Sequence, residues 1–243
     1  MKELDDTKIG SAQDIIHANI PAFALTVLRV PALRKAALSV VRNAAVDFFG
    51  VQWLERLMPG RSPVASVDHD LDKMVPFTPK HIHIYMDFIP FWIRTAAWHY
   101  RVFGWKRRRD TAWFIDGIAT LYNQAATVYR VHLSTTERPF YIKRPRFALI
   151  HAADPHFACV PSLHVMIVVY SWLAFRDLLR KYGEEEAYRG QIDELRRGAL
   201  AITESILFVK QHSVNCVGAA MYTMTKLYGD RKSTRLNSSH RIR

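Results

Sequence analysis

The sequence predicts an all-α protein, a helical bundle of about six helices that is associated with a membrane. Two observations favour this fold class. The chain has 243 residues, of which 49% are hydrophobic, 12% are aromatic and only ten are glycines, so it can bury one sizeable core. Its apolar stretches are long, and prolines or clusters of cations separate them from one another.

The first apolar stretch, residues 12–58, is predicted to be helical. Pro21 and Pro31 break it, and several arginines and lysines interrupt its apolar run. No uninterrupted span of about 20 apolar residues is present there, which is the length that a membrane-spanning helix needs. We therefore expect amphipathic helices that are packed or lie at a membrane interface.

The chain divides into three regions. Prolines and a glycine at 59–63 indicate a linker, which separates an N-terminal region of amphipathic helices, 1–63, from a helical domain, 64–229. Residues 230–243 are expected to be an artefact, because one reading frame of a common sequencing-library adapter encodes this sequence. The helical domain is then expected to be truncated.

Within the domain, an apolar and aromatic stretch at 82–103 and a helix at 112–131 flank the cations of 106–109. Such a cationic cluster is typical of a cytoplasmic loop under the positive-inside rule, and an ordinary solvated turn is the alternative. If the cluster lies inside, helix 112–131 runs outward, the stretch from 164 to 175 returns, and helix 198–212 runs outward again. Residues 132–164 and the end of helix 198–212 then lie together on the outer side.

A histidine lies at the start of the third helix. Pro161 and Ser162 form a helix-start pattern just before an apolar run, and His164 follows them. Unpaired backbone N–H groups at a helix start can hold an anion, and a histidine there can donate a proton to a leaving oxygen near neutral pH. The alternative is a histidine that merely sits at a loop–helix junction.

A second histidine and a cationic loop extend this pattern. Ser205, His212 and Cys216 have a spacing that places them on one face of a helix. Two histidines and guanidinium groups are the parts that phosphoryl transfer needs: one histidine attacks phosphorus, the other protonates the leaving oxygen, and the cations hold the remaining oxygens. The loop upstream of His164 supplies the cations Arg138, Lys143 and Arg144.

These motifs resemble those of the phosphatidic acid phosphatase type 2 superfamily, which includes lipid phosphatases, inositol phosphotransferases and vanadium haloperoxidases. The family motif P-S-x-H matches residues 161–164, and the motif S-R-x5-H-x3-D matches Ser205 and His212. The ending of the motif K-x6-R-P is matched by Arg138-Pro139 or by Arg144-Pro145. Residues 75–79, followed by Tyr85, are similar to the inositol phosphotransferase branch, and the whole resemblance covers roughly residues 70–228.

The resemblance implies a role for each matching residue. His212 would be the nucleophile and His164 the general acid, with no metal and no other cofactor. The phosphoryl oxygens would be bound by Arg138, Lys143 and Arg144, with Ser162 and Lys210 assisting.

The chain departs from the family motifs at four positions. The lysine that should precede each Arg-Pro pair is Val131 or Glu137, and the arginine of the third motif is Ile206. The aspartate that should orient the nucleophilic histidine is Cys216, although Lys210 adds a cation nearby. A thiol is a poor partner for an imidazolium, and losing the orienting carboxylate costs up to about 10⁴ in rate.

Two function classes therefore remain open. The first is a phosphoric-ester hydrolase or phosphotransferase that acts on a lipid phosphate at the non-cytoplasmic face of a membrane. The second is a non-catalytic membrane relative that binds phospholipid headgroups. The net charge of +12 comes with no nucleic-acid motif, so an anionic membrane or a phosphate substrate is the expected partner. Cys159 and Cys216 have no metal-binding spacing.

Overall fold

The computed structural model describes the backbone of residues 14–239 and the side chains of residues 14–227. The start of the expected N-terminal region and the side chains of the expected artefactual tail, 230–243, lie outside the described residues. The described part is mostly helical, which confirms the predicted all-α class. No helix in this part of the chain is both long enough and apolar enough to cross a membrane.

More helices are present than the six that the sequence predicted, and several are short. The α-helices are α1 Ile20–Arg29, α2 Pro31–Asn43, α3 Val51–Leu57, α4 Asp70–Met74, α5 Ile82–Tyr85, α6 Phe88–Phe103, α7 Arg108–Tyr129, α8 Pro145–Ala153, α9 Leu163–Arg180, α10 Arg189–Phe208 and α11 Val214–Ser239. Short 3-10 turns at Ile15–His17, Pro79–His81 and Gly104–Arg107 and a π-helical turn at Ala44–Gly50 connect some of them.

Two short strands, which the sequence did not predict, add a small parallel pair to the helices. Strand β1, Val64–Ser66, pairs with β2, Leu133–Thr135, with Val64 opposite Leu133. The expected linker at 59–63 leads directly into β1. The pair therefore ties the start of the predicted domain to the chain that follows α7.

Helix α9 lies at the centre of the core. Its residues from Leu163 to Ser171 are all buried, so this part of the helix has no solvent-facing side. A helix that is apolar all round has to be surrounded by other elements. Helices α6, α7, α10 and α11 pack against α9, and α2 packs along the outer side of α7.

Successive helices run in opposite directions, and this brings the segments that the sequence predicted to meet to one end of the bundle. The end of α7, the start of α9 and the end of α10 meet there: the Tyr129 hydroxyl donates to the Pro161 carbonyl at 2.5 Å. At the other end, Lys181 after α9 binds Asp110 near the start of α7 at 2.8 Å. With 18 residues, α9 separates the two ends by about 27 Å.

The predicted helical face that joins Ser205, His212 and Cys216 is wrong. Helix α10 ends at Phe208, and Lys210 adopts a left-handed backbone conformation with φ 53°. The chain turns there and enters α11 at Val214. Ser205 therefore belongs to α10, Cys216 belongs to α11, and His212 lies in the turn between the two helices.

Candidate functional site

The two histidines singled out in the sequence lie in contact. His164 is the second residue of α9, and His212 is in the turn between α10 and α11. The His164 Nδ1 and His212 Nε2 atoms are 3.1 Å apart, and each residue is 7% exposed. This confirms that the two side chains meet, although they are 48 residues apart in the chain.

Aromatic side chains hold the His164 ring. Tyr85 stacks on it with a centroid separation of 4.6 Å and an interplanar angle of 30°, and the Phe88 centroid lies 4.1 Å away. Burial lowers the pKa of His164 well below its usual value, and the neighbouring His212 lowers it further. The ring of His164 is therefore neutral at neutral pH.

The contact between the histidines constrains their protons. In a hydrogen bond between two neutral imidazoles, one ring nitrogen donates and the other accepts. If His212 Nε2 is to act as a nucleophile, it must be the acceptor, and its own proton must then lie on Nδ1. Among the described residues, no hydrogen-bond partner meets this buried Nδ1 atom.

Cys216 occupies the position where the family motif has the orienting aspartate. It is fully buried in the first turn of α11, beside His212. The neighbouring Cys159 thiol, and after it the His212 ring, lower the pKa of Cys216 against the opposing effect of burial. The backbone N–H of Ser162 donates to the Cys216 carbonyl at 3.3 Å, which joins the start of α11 to the start of α9.

Three residues that the sequence analysis missed surround the histidines. His156 has φ 67°, and its backbone N–H donates to the Asp154 carboxylate at 3.0 Å. Gln52 of α3 accepts a hydrogen bond from the Phe157 N–H at 2.8 Å, and its Nε2 atom is buried without a partner. The Asp-Pro-His sequence just before residues 161–164 could have signalled the first two. Gln52 could not have been found, because a polar helix residue is expected at the surface.

Burial and charge act on these groups in opposite directions. Burial raises the pKa of Asp154, but its interaction with His156 outweighs this effect and lowers the pKa below its usual value. The pKa of His156 is lowered, mainly by burial. Asp154 is thus an anion beside His156.

A small cavity lies between these elements. It is lined by Phe48, Gln52, Asp154, His156, Ala158, Cys159, Leu163, His164 and His212. Its volume of about 10 Å³ is the space that one water molecule needs. A phosphoryl group therefore requires this region to open before it can reach both histidines.

The expected phosphate-binding residues divide into two sets. Arg138 is half-buried and donates from its guanidinium to the Gln211 side chain at 3.1 Å and to the Asp154 carbonyl at 3.2 Å. Burial lowers its pKa. Arg138 thus binds the residue that precedes His212 but, like the exposed Lys143 and Arg144, it does not line the cavity.

Ser162 and Lys210 also differ in their surroundings. Ser162 immediately precedes α9, as predicted, but its buried hydroxyl makes no capping bond and meets no partner among the described residues. The Lys210 ammonium donates to the Asp72 carbonyl, which fixes it against α4. Three buried polar atoms near the cavity therefore have no hydrogen-bond partner among the described residues: Ser162 Oγ, Gln52 Nε2 and His212 Nδ1. A bound anion or water molecule would supply such a partner.

Within residues 14–227, no group of three or more metal-binding side chains is arranged to hold a metal ion. Comparisons of the chain with protein-family models, with curated proteins and with solved structures found no match. The resemblance to the phosphatidic acid phosphatase type 2 superfamily therefore rests on the sequence motifs quoted above.

Proposed function

We propose that this protein transfers the phosphoryl group of a lipid phosphate through a histidine nucleophile, as a phosphoric-ester hydrolase or phosphotransferase. The observation that supports this proposal best is the 3.1 Å contact between His164 and His212, with Arg138 beside them. Two histidines and a guanidinium at one buried site supply a nucleophile, a proton donor and an anion clamp.

In the proposed reaction, His212 Nε2 forms a bond to phosphorus while the bond from phosphorus to the lipid oxygen breaks. His164 in its protonated form gives its proton to the leaving oxygen. Burial disfavours that protonated form, but the negative charge of a bound phosphate favours it. Water then attacks the phosphohistidine in a phosphatase, and an alcohol such as an inositol attacks it in a transferase.

Substrate entry requires a change in the site. The hydrogen bond between the two rings has to break, because phosphorus must lie between the attacking nitrogen and the leaving oxygen. Among the described residues, the hydrogen-bond partners of Arg138 are neutral groups, so a phosphoryl oxygen can replace one of them without breaking an ion pair. We infer that the anion opens the site as it binds.

A second candidate function is a phospholipid-headgroup binder that performs no chemistry. The orphaned Nδ1 of His212 favours this alternative, because a nucleophilic histidine needs an acceptor there to hold its tautomer. Ile206, which replaces the arginine of the family motif, is fully buried and adds no charge to the site.

Both candidates include a membrane partner. We propose association with a membrane that supplies the lipid phosphate, with the histidine end of the bundle on the non-cytoplasmic side. The net charge of +12 is compatible with an anionic lipid surface, and we propose no nucleic-acid partner.

The test is the release of phosphate from a short-chain phosphatidate in the presence of a chelator, with and without an added alcohol. We expect turnover without a metal, and we expect His212→Asn and His164→Asn to lower it by at least about 10³. His132→Asn, which changes an exposed histidine on the same side of the bundle, is the matched control.

Binding of inorganic phosphate to the same proteins separates the two candidates. Phosphate binding that requires Arg138, without turnover of any ester, would favour the headgroup binder. Turnover that the chelator abolishes and magnesium restores would reject the histidine mechanism. If neither binding nor turnover is detected with folded protein, both candidates are wrong.

A further inference from the structure

The N-terminal helices have an unusual distribution of polar and apolar residues. Helix α2, the π-helical turn and α3 form one continuous helix from residue 31 to residue 57, because the residues that join them keep helical backbone angles. Its outward side is apolar at seven large residues, of which Leu57 is 74% exposed. These are Leu38, Val41, Val46, Phe49, Trp53, Leu54 and Leu57.

Three polar residues in the second half of the same helix point inward. Asp47 is buried and pairs with Arg130. Gln52 lines the histidine cavity, and Glu55 is buried and accepts hydrogen bonds from the Gly60 and Ser62 N–H groups. Each of these polar contacts fixes the rotation of the helix about its axis. The apolar residues are therefore held outward by the fold.

The charge of the outward side is of one sign. Within residues 20–57 the acidic residues are Asp47 and Glu55, and both are buried. The exposed charged residues of this segment are all cations: Arg29, Arg34, Lys35, Arg42 and Arg56. Arg34, Lys35 and Arg42 line one shallow surface depression together with Leu38.

This combination identifies the chemistry of the partner. An exposed apolar stripe alone would fit another protein or a lipid surface. Cations without any exposed carboxylate favour an anionic surface, and an exposed tryptophan beside them is typical of a membrane interface. We propose that the outward side of residues 20–57 docks this protein on the surface of a bilayer that contains anionic lipid.

Docking of this kind does not depend on phosphoryl transfer, and it goes beyond that proposal. The helix would lie in the plane of the interface, with its apolar side chains below the headgroups and its cations among them. The opposite side of the same helix carries Gln52 into the histidine cavity. Docking would therefore place the candidate site close to the headgroup layer.

The experiment is co-sedimentation of the full chain with vesicles of phosphatidylcholine, with or without phosphatidylserine. We expect binding to the vesicles that contain phosphatidylserine, decreasing as salt is added. Trp53→Gln should weaken this binding by about tenfold, because it removes one inserted apolar side chain. Arg34→Gln with Lys35→Gln should weaken it by about tenfold or more.

Matched variants test whether the effect belongs to this surface. Trp105→Gln changes an exposed tryptophan, and Arg196→Gln with Arg197→Gln changes two adjacent exposed cations on α10. These controls should bind within about twofold of the wild type, since none of them lies on the proposed surface.

Three results would overturn the proposal. The first is equal binding to both kinds of vesicle, and the second is unchanged binding of Trp53→Gln. The third is a dimer in solution that Trp53→Gln dissociates while vesicles bind neither protein, because the occupant would then be a second copy of the chain. Circular dichroism melting of each variant establishes that it is folded before binding is compared.

Discussion

Each end of the bundle carries a half-buried arginine, and the two arginines have different partners. At one end, Arg107 forms two hydrogen bonds with the Glu184 carboxylate, at 2.5 and 2.6 Å. At the histidine end, Arg138 binds an amide oxygen of Gln211 and the backbone carbonyl of Asp154. The first guanidinium is neutralised by a carboxylate and the second binds neutral groups.

The lysines at the two ends differ in the same way, because one forms an ion pair and the other binds a neutral group. Lys181 binds Asp110 at 2.8 Å, and this contact lowers the pKa of Asp110 even though burial raises it. Lys210, at the histidine end, binds a backbone carbonyl and forms no ion pair among residues 14–227. The Arg107 end is therefore a closed electrostatic network. The histidine end also contains the Asp47–Arg130 ion pair, but it retains Arg138 and Lys210 as cations that an anion can pair with. The predictions below test this difference.

The largest expected effect is at Cys216. We expect Cys216→Asp to raise phosphate release from a short-chain phosphatidate, by up to about 10⁴ if orientation of His212 is all that is missing. A carboxylate there could accept the proton of the orphaned His212 Nδ1. Burial would keep an isolated carboxyl protonated, but His212 and the nearby cations favour its charged form.

Cys159→Asp is the matched control for this substitution. It introduces the same buried carboxyl beside the same cavity, but the Cys159 sulfur lies 3.7 Å from the His156 ring and beside Cys216, and it does not occupy the position of the family's orienting aspartate. We expect no gain in turnover from it. Equal and negligible phosphate release by the wild type and by folded Cys216→Asp would mean that this position does not lack an orienting group.

Arg138 and Arg107 test the comparison directly. Arg138→Met should lower the rate or affinity for the phosphate substrate by about 10²–10³, because it removes a donor to the phosphoryl oxygens, and it should change stability little. Arg107→Met should leave phosphate binding unchanged and lower the free energy of unfolding by about 1–3 kcal/mol, because Glu184 loses its partner. Phosphate titration and chemical denaturation of both variants measure the two effects. Loss of phosphate binding in Arg107→Met, together with loss of stability in Arg138→Met, would contradict the roles assigned to the two ends.

The difference between the ends was partly visible in the sequence. The apolar runs and the charged segments between them predicted that His164, His212 and the cationic loop would meet. The two histidines do meet, and of the loop cations Arg138 binds the residue before His212, whereas Lys143 and Arg144 are exposed. The break between α10 and α11 was missed, because Lys210 adopts its left-handed conformation without a glycine or proline to signal it. Three-residue strands are likewise too short to give an alternating pattern.

The role of Gln52 could not be predicted for a different reason. Sequence periodicity identifies the apolar side of a helix and assigns it to the core. Residues 31–43 follow this rule, because Leu33, Ala36 and Val40 are buried. In residues 44–57 the assignment is inverted, since Asp47, Gln52 and Glu55 are buried while several large apolar side chains are exposed. Only the three-dimensional contacts of the buried polar residues reveal which side faces the cavity.

Acid should destabilise the Arg107 end through His99. Burial lowers the pKa of this histidine to about 3, and its Nδ1 atom lies 2.8 Å from the Thr111 hydroxyl. The charged groups that act on it are Asp110, which favours the protonated form, and Arg107 and Lys181, which oppose it. The folded protein therefore keeps His99 neutral at pH values where the unfolded chain protonates it.

The stability contributed by neutral His99 is present above pH 6.5 and is lost as the pH falls from 6.5 towards 3. When the pH is lowered from 7 to 4.5, we expect the free energy of unfolding of His99→Gln to fall by about 2 kcal/mol less than that of the wild type. Urea denaturation at the two pH values measures this. Parallel losses in both proteins would mean that His99 is protonated in the folded state. His83→Gln, at an exposed histidine, is the control.

The last prediction concerns a close contact between α7 and α9, midway between the two ends. Near the middle of α7, Gly117 packs directly on Tyr170 of α9: a Cβ atom at Gly117 would lie 1.8 Å from the tyrosine hydroxyl oxygen and 2.2 Å from the ring carbon that bears it. Tyr170 is 1% exposed and cannot swing into solvent. We expect Gly117→Ala to lower the free energy of unfolding by about 1–3 kcal/mol, because one helix has to shift.

Two further variants identify the cause of this loss. Gly190→Ala adds the same methyl group to a helical position with no atom within 4 Å, so we expect its stability to be unchanged or raised by up to about 1 kcal/mol. Tyr170→Phe combined with Gly117→Ala removes the hydroxyl but leaves the ring carbon at 2.2 Å, so rescue should be partial. Thermal and urea denaturation measure all three. Wild-type stability of Gly117→Ala would mean that α7 and α9 can separate slightly without cost.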